Sequence, residues 1–243
     1  MKTLQVETVT LNVLDRPRLR RREDLLELYW RSHPRWLFLK SAPPGAKVLD
    51  VGAGSGGMVT WKGWCEPRRE DLRMYAVDRV RGEMFDRYDG WQVADLDVEP
   101  VRCGEGAFDA VVMSHVLEHL SDEDAFFARL EPRLAPGAQV YIELPAPWTA
   151  VCPSRTLFLE RGIDVSTVNF FDDATHKRTF DRPELWALLE RHGFRILHGG
   201  AIRNRFLEDE LFTFGYTHRD QELTTYGVWS KLSWAQYLVV ERP

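Results

Sequence analysis

Short apolar runs alternate with amphipathic helical segments along most of the chain. Runs of strand length lie at 47–51, 73–78, 91–95, 108–114, 138–144, 194–202 and 233–240. Apolar residues recur at helical spacing over 22–40 (with a break near Pro34), 121–134 and 181–193. Ser121 is the expected cap of the second helical stretch, and Asp181 is the expected cap of the third. Strands that alternate with helices predict an α/β fold with a parallel sheet covered on both faces.

Four glycines follow the first strand in "VLDVGAGSGG", residues 48–57. Glycine admits backbone angles that other residues avoid, and it lets main-chain N–H groups approach a ligand closely. Gly52, Gly54 and Gly57 also satisfy the G-x-G-x-x-G pattern of dinucleotide-binding proteins. The loop therefore predicts a nucleotide-containing cofactor, and a nicotinamide-dependent reductase is one alternative.

Three acids accompany this loop at the expected carboxyl ends of the strands. Asp50 lies inside the first strand, Asp78 closes the second, and Asp95 closes the third. A carboxylate in the position of Asp78 suits the two hydroxyls of a ribose, and one in the position of Asp95 suits the amine of adenine. A pyrophosphate is repelled by three carboxylates, whereas a sulfonium cation is attracted by them. The acids therefore favour S-adenosylmethionine (SAM).

The series "VLDVGAGSGG", "MYAVD", "VADLD", "FDAVVMSHVLEHL" and "LAPGAQVYIELP" resembles the class I SAM-dependent methyltransferases, and "THKRTFDRPELWALLERHGF" continues the likeness. The resemblance implies a Rossmann-like, doubly wound sheet of seven mostly parallel strands with an antiparallel C-terminal strand. It implies that the product is S-adenosyl-L-homocysteine. The cofactor-binding residues that it implies are Asp50, Gly52, Ala53, Gly54, Gly56, Asp78, Asp95, Leu96, Ser114 and His115. One departure concerns 58–72, where Gly63 and Pro67 interrupt the long helix of the family.

Histidines after the fourth and fifth strands are the candidates for acid–base chemistry. Histidine is the usual base at neutral pH, and an acceptor hydroxyl must lose a proton when it is methylated. We predict that His176 takes this proton, with Asp172 or Asp173 setting its tautomer. His119 is the competing candidate.

The segment "HVLEH" allows two further interpretations. On a helix His115, Glu118 and His119 would share one face. The motif is similar to the E-x-x-E-H arrangement of ubiquinone-pathway and small-RNA 3′-end methyltransferases, and the latter bind a divalent metal with a further histidine. A metal site here would consist of His115, Glu118, His119 and His176. The interpretation preferred from the sequence is that Glu118 and His119 orient the cofactor loop without a metal.

Composition limits the other classes of function. The net charge of −5 provides no general basic field for nucleic acid. The three cysteines have no metal-ligand spacing and suggest a reducing cytoplasm. The sequence contains no apolar run of the length that a signal peptide or a membrane span requires. A cytoplasmic protein, monomeric or homodimeric, is therefore expected.

One domain is expected, because 243 residues suit a single core. Its expected parts are an N-terminal extension or lid at 1–45 with an extended start at 4–14, a SAM-binding core at 46–145, an acceptor-side insertion at 146–180, and the rest of the sheet with a second insertion at 181–243. Aromatic residues of the first insertion are predicted to line an acceptor pocket: Trp148, Phe158, Phe170, Phe171 and Phe180. The second insertion, at 205–231, is predicted to form the opposite wall.

These observations predict a methyltransferase that acts on a small molecule, with oxygen favoured over nitrogen or carbon as the methylated atom. Methylation of a peptide or of a nucleic-acid end is the nearest alternative. A SAM-binding regulator or inactive partner subunit is the alternative from another class of protein.

Overall fold

The structure is a computed structural model that describes residues 21–243, so the extended start predicted at 4–14 lies outside the described part. Seven α-helices are found in that part. Their bounds are α1 Arg22–Arg31, α2 Pro34–Ser41, α3 Glu123–Leu130, α4 Arg155–Leu159, α5 Arg182–Arg191, α6 Glu208–His218 and α7 Gln221–Leu232. The predicted break near Pro34 separates α1 from α2, because a proline fits the first turn of a helix but not its interior.

Seven strands of the described chain form one sheet. Their bounds are β1 Lys47–Val51, β2 Arg73–Asp78, β3 Gly90–Val93, β4 Phe108–Ser114, β5 Leu134–Pro145, β6 Arg195–Ala201 and β7 Ala235–Glu241. Their spatial order is β3-β2-β1-β4-β5-β7-β6. The first five strands run parallel, and β7 lies antiparallel between β5 and β6. The predicted seven-stranded Rossmann-like sheet with an antiparallel C-terminal strand is therefore confirmed.

The central strands are buried on both faces, which explains their nearly continuous apolar sequences. One apolar cluster joins one face of the sheet to α3 and α5, and Phe127 and Leu188 are among its buried members. The cluster on the other face joins α2 to the segment after the glycine loop, through Leu39 and Trp61. A third, smaller cluster joins α1, α6 and α7. Among residues 21–243 no helix has the length and apolar character needed to cross a membrane.

The structure corrects one local prediction and confirms two others. Asp122, not Ser121, caps α3, because its carboxylate accepts a 2.8 Å hydrogen bond from the N–H of Ala125. Ser121 instead donates its hydroxyl to Asp97 at 3.0 Å, so the expected cap was wrong by one residue. Asp181 caps α5 as predicted. The expected absence of a long helix after the glycine loop is confirmed, since Gly57–Trp64 forms a 3₁₀ segment.

Candidate active site

The glycine loop lies where β1 ends, at the carboxyl edge of the sheet. Gly52 and Gly54 have positive φ angles of 68° and 56°, in the left-handed region that favours glycine. A side chain at Gly52 would meet Val116 at 2.5 Å, whereas one at Gly54 would meet no described atom within 4 Å. Gly54 therefore presents open backbone at this edge. Gly56, by contrast, lies against Phe85 and Tyr88.

The neighbouring strands place two carboxylates beside this loop. Asp78 accepts hydrogen bonds from the N–H groups of Gly54 at 2.8 Å and Val80 at 3.1 Å. Asp95 follows β3 and lies 3.4 Å from the guanidinium of Arg79. Both acids line an open cleft of about 510 Å³, here called the acidic cleft, whose lining includes Gly52, Asp78, Asp95, Leu96, His115 and His119. The parallel sheet thus brings two of the three predicted acids, Asp78 and Asp95, into one cleft.

A second open cleft, of about 630 Å³, adjoins the first and shares His115 with it. Asp50, Ala53 and Gly54 belong to its lining. We call it the tryptophan cleft, after its aromatic residues Trp30, Trp61, Trp64, Tyr226 and Trp229. The second insertion, at 205–231, provides two of these residues, Tyr226 and Trp229. The aromatic residues expected from the first insertion do not line the cleft: Phe170 and Phe180 are fully buried, and Phe171 is mostly exposed.

Asp50 is the carboxylate at the floor of the tryptophan cleft. It is nearly buried, and it accepts a 2.6 Å hydrogen bond from the hydroxyl of Tyr88. Burial raises the pKa of Asp50 to about 6, although the Tyr88 hydrogen bond and the charge of Arg35 act in the opposite direction. At neutral pH Asp50 is therefore mainly ionised and can attract a cation. Ser114, at the end of β4, has a buried hydroxyl with no described hydrogen-bond partner.

His115 lies between the two clefts in an unusual backbone conformation. Its φ angle is 57°, which is uncommon for a residue other than glycine and is found often at functional sites. The helix considered for "HVLEH" does not form, since only Leu117–His119 adopts a short 3₁₀ turn. The two ring nitrogens of His115 lie 3.2 Å from carboxylate oxygens of Glu118 and Glu143.

This arrangement keeps His115 protonated. Burial alone would lower the pKa of His115, but hydrogen bonds to Glu118 and Glu143, together with their negative charges, raise that pKa to about 9. Both ring nitrogens donate to carboxylates in the protonated form, so His115 is a fixed imidazolium at neutral pH. It is therefore not a general base in this state.

Glu143 and Arg35 complete a buried charge network that sequence reasoning missed. Glu143, near the end of β5, accepts hydrogen bonds from Arg35 at 3.0 Å and from the hydroxyl of Tyr141 at 2.6 Å. Burial opposes ionisation, yet the charges of Arg35, His33 and His115 hold the pKa of Glu143 well below its usual range. The sequence did contain a signal for this network, since Glu143 lies inside the apolar strand "VYIELP". A buried acid needs a charged or hydrogen-bonding partner, so a partner for Glu143 could have been expected.

Glu118, His119 and His176 form a compact cluster beside the acidic cleft, with ligand atoms all within 4.8 Å of one another. Glu118 is fully buried, and its Oε2 has no described hydrogen-bond partner. His119 lines the acidic cleft, whereas the side chain of His176 is only 5% exposed and packs 4.7 Å from the His119 ring. The structure thus brings three of the four candidate metal ligands together. The fourth, His115, is not part of this cluster, because its ring nitrogens contact Glu118 and Glu143.

Hydrogen bonds determine which nitrogen of each histidine carries a proton. The Nδ1 of His176 lies 2.6 Å from the carbonyl oxygen of Phe170, which can only accept, so Nδ1 is protonated. Thr175 donates its hydroxyl to Asp173 at 2.6 Å, so it accepts from Nδ1 of His119 at 2.9 Å. In the neutral histidines both Nε2 atoms are therefore unprotonated. The prediction that Asp172 or Asp173 sets the His176 tautomer directly is wrong, because a backbone carbonyl does so.

The strand order, the glycine loop and the acids at the carboxyl edge define a class I SAM-dependent methyltransferase. A sequence family described as "Methyltransferase domain" matches residues 20–199, and the chain belongs to this family. SAM is therefore its cofactor, and the resemblance found in the sequence is confirmed.

Solved structures of methyltransferases share the fold. A SAM-dependent methyltransferase from Mesorhizobium loti is 19% identical with a TM-score of 0.54, covering 86% of this chain and 96% of its own. A putative methyltransferase in complex with the Trm112 activator, from Haloferax volcanii, is 13% identical with a TM-score of 0.56, covering 90% and 89%. A phosphoethanolamine N-methyltransferase 2 from Haemonchus contortus, in complex with phosphomonomethylethanolamine and S-adenosylhomocysteine, is 18% identical with a TM-score of 0.53, covering 86% and 52%. No functionally curated protein matches this sequence.

Proposed function

We propose that the chain transfers the methyl group of SAM to a hydroxyl oxygen of a small organic acceptor. The observation that carries this proposal is the contact between the two clefts at His115, because one cleft has acids suited to the cofactor and the other has aromatic walls. A donor and an organic acceptor in adjoining clefts can meet at this residue. Such positioning is the main contribution that a protein makes to methyl transfer.

The residues at the carboxyl edge of the sheet, which line the acidic cleft and the adjoining part of the tryptophan cleft, support specific roles toward SAM. Asp78 binds the ribose hydroxyls, and Asp95 binds the adenine amine beside Leu96. The backbone of Gly52, Ala53, Gly54 and Gly56, with Ser114 and His115, surrounds the methionine part. Asp50 lines the tryptophan cleft near the glycine loop, where an ionised carboxylate stabilises the cationic end of the cofactor.

The transfer itself is a substitution at carbon. The acceptor oxygen forms a bond to the methyl carbon while the carbon–sulfur bond breaks, and the electron pair of that bond neutralises the sulfonium. The products are a methyl ether and S-adenosyl-L-homocysteine. The hydroxyl proton moves to a base, for which we propose the unprotonated Nε2 atoms of His119 and His176. His119 is the nearer of the two to solvent because it lines the acidic cleft.

Turnover with an acceptor library tests the proposal. The chain should release S-adenosylhomocysteine from SAM with alcohols or phenols, and less or none with amines, peptides or RNA 3′ ends. His176→Ala or His119→Ala should lower kcat by about 10²–10⁴ while SAM affinity, measured by calorimetry, changes little. A chain that binds SAM but releases no S-adenosylhomocysteine with any acceptor is a regulator or partner subunit and contradicts the proposal.

A divalent metal is a second candidate for the same histidines. The donor set of Glu118, His119 and His176 fits a borderline ion such as Zn²⁺, and the buried Glu118 oxygen without a partner would gain one. The hydrogen bonds at both Nδ1 atoms are those that metal-bound histidines usually make. When bound, such an ion would act as a Lewis acid that polarises a hydroxyl. The geometry supports this candidate more than the sequence did.

Elemental analysis and chelation separate the two roles. Stoichiometric metal in the purified chain, lost in Glu118→Gln and accompanied by chelator-sensitive turnover, would identify ligands. Activity that resists chelation and falls with imidazole protonation would identify a base. His192→Ala is a suitable control, since His192 pairs with Asp124 away from the cluster.

A further inference from the structure

The aromatic residues of the tryptophan cleft converge from three segments that are distant in the sequence. Trp30 lies on α1, Trp61 and Trp64 lie on the 3₁₀ segment after the glycine loop, and Tyr226 and Trp229 lie on α7. Only Trp61 of the five is buried; the other four keep part of their surface exposed. The volume of about 630 Å³ lies within the range of small-molecule sites. The cleft thus offers exposed aromatic surface next to the proposed site of transfer.

Aromatic walls can bind either a cation or a flat ring, and Arg35 distinguishes between them. Its guanidinium carbon lies 5.2 Å from the ring centre of Trp30 and 5.6 Å from that of Trp61. The protein's own cation therefore occupies the cation–π position on two of the indoles. Because Arg35 already lies over Trp30 and Trp61, a cationic ligand on either of these indoles would be repelled by its guanidinium.

Three charged residues of the lining already have a partner within the protein. Arg35 pairs with Glu143, and Asp50 accepts from Tyr88. At the rim, Glu222 pairs with Arg22. An ionised ring substituent would therefore compete with existing pairs, whereas a neutral ring can stack on the indoles without breaking any of them.

We propose that the tryptophan cleft binds the planar, uncharged aromatic ring of the acceptor, which makes the acceptor a phenol or a similar hydroxylated aromatic compound. This inference rests on the proposed function for the fate of the hydroxyl group, but the recognition of the ring can be measured without turnover. The aromatic ring lies against the indoles and directs its hydroxyl toward the junction at His115.

Binding of matched probes to the chain loaded with S-adenosylhomocysteine tests the ring specificity. The probes are 2-naphthol, its saturated analogue decahydro-2-naphthol, and benzyltrimethylammonium, and the measurement is calorimetric titration. Because stacking on an aromatic ring adds affinity beyond area burial, we expect 2-naphthol to bind about two- to tenfold more tightly than the saturated analogue. Equal affinities, or tighter binding of the ammonium probe, would overturn the inference.

Two tryptophan variants locate the bound probe. Trp64→Leu should weaken 2-naphthol binding by about tenfold and leave S-adenosylhomocysteine affinity within about twofold of the original value. Trp186→Leu is the matched control, because Trp186 is exposed on α5, outside the cleft. Equal losses in both variants would place the probe elsewhere and refute the inference.

Failure of the proposed function gives a different result. Suppose that 2-naphthol binds as described but that the chain releases no S-adenosylhomocysteine with any hydroxylated aromatic compound. The binding site for the ring is then supported, and methyl transfer to oxygen is contradicted. If turnover occurs only with aliphatic acceptors and 2-naphthol shows no preference in binding, methyl transfer stands and the aromatic specificity is wrong.

Discussion

The imidazolium of His115 should make the stability of the protein depend on pH in a predictable way. In the folded protein the pKa of His115 is raised to about 9. In an unfolded chain a histidine titrates near 6.5. A group whose folded pKa lies above its unfolded pKa stabilises the folded state below the unfolded pKa. This contribution is lost as the pH rises through the folded pKa.

The magnitude follows from the two pKa values. A difference of about 2.5 units corresponds to roughly 3 kcal/mol, since each unit is worth about 1.4 kcal/mol. Most of this contribution is still present at pH 7, because that pH is only about half a unit above the unfolded pKa and lies well below the folded pKa of about 9. Between about pH 7 and pH 10 the wild type should lose roughly 2–3 kcal/mol from this residue.

Urea denaturation of the wild type and of His115→Gln, measured at several pH values in that window, isolates the effect. Glutamine does not titrate, so the free energy of unfolding of the variant lacks this term. Other groups that titrate in the window contribute to both proteins and cancel in the difference. The difference in unfolding free energy between wild type and variant should fall by about 2–3 kcal/mol as the pH rises. A difference that stays constant would show that Glu118 and Glu143 do not hold His115 in its charged form.

Three further predictions concern cofactor binding, each measured by calorimetric titration with SAM. Asp78→Asn should weaken SAM binding by about tenfold or more, because it removes the charge from the carboxylate that we propose as the ribose partner. Unchanged affinity would remove Asp78 from the proposed ribose site. Tyr88→Phe removes the 2.6 Å hydrogen bond that lowers the pKa of Asp50, so SAM affinity should begin to fall at a higher pH than in the wild type as the solution is acidified. An identical pH profile would exclude a contribution of Asp50 to binding of the cation. Gly82→Ala would place a methyl group 2.2 Å from the carbonyl oxygen of Gly54. The loop should therefore be distorted, and the variant should lose about 1–3 kcal/mol of stability or a comparable amount of SAM-binding free energy. Normal stability together with normal SAM affinity would contradict this close approach.

The sheet and the acidic cleft were predictable from sequence because their signals are local. Each strand of the parallel sheet is a short apolar run, and burial on both faces requires such runs. Asp78 ends β2, and Asp95 follows β3 by two residues. Because parallel strands end at one edge, two acids that are distant in the chain had to lie close together.

The capping of α3 shows where local reasoning reached its limit. Ser121 and Asp122 are both good caps, and sequence statistics barely distinguish them. The contact of Ser121 with Asp97, which is 24 residues away, decides between the two. Similarly, the backbone of His115 does not continue into a helix, because the ring is held by carboxylates from two different elements.

The sequence by itself determined the α/β architecture, the cofactor class and the carboxylates at the edge of the sheet. Only the tertiary structure decided how the charged and aromatic residues combine. Arg35 and Glu143 are separated by 108 positions, and their pairing depends on the packing of α2 against the sheet. The aromatic wall comes from Trp30, Trp64 and Trp229, not from the aromatic-rich insertion that the sequence favoured. Which apolar and charged side chains pair depends on which of them are buried and close together in space. When the partners lie on different helices or strands, the order of residues along the chain does not show that they are close.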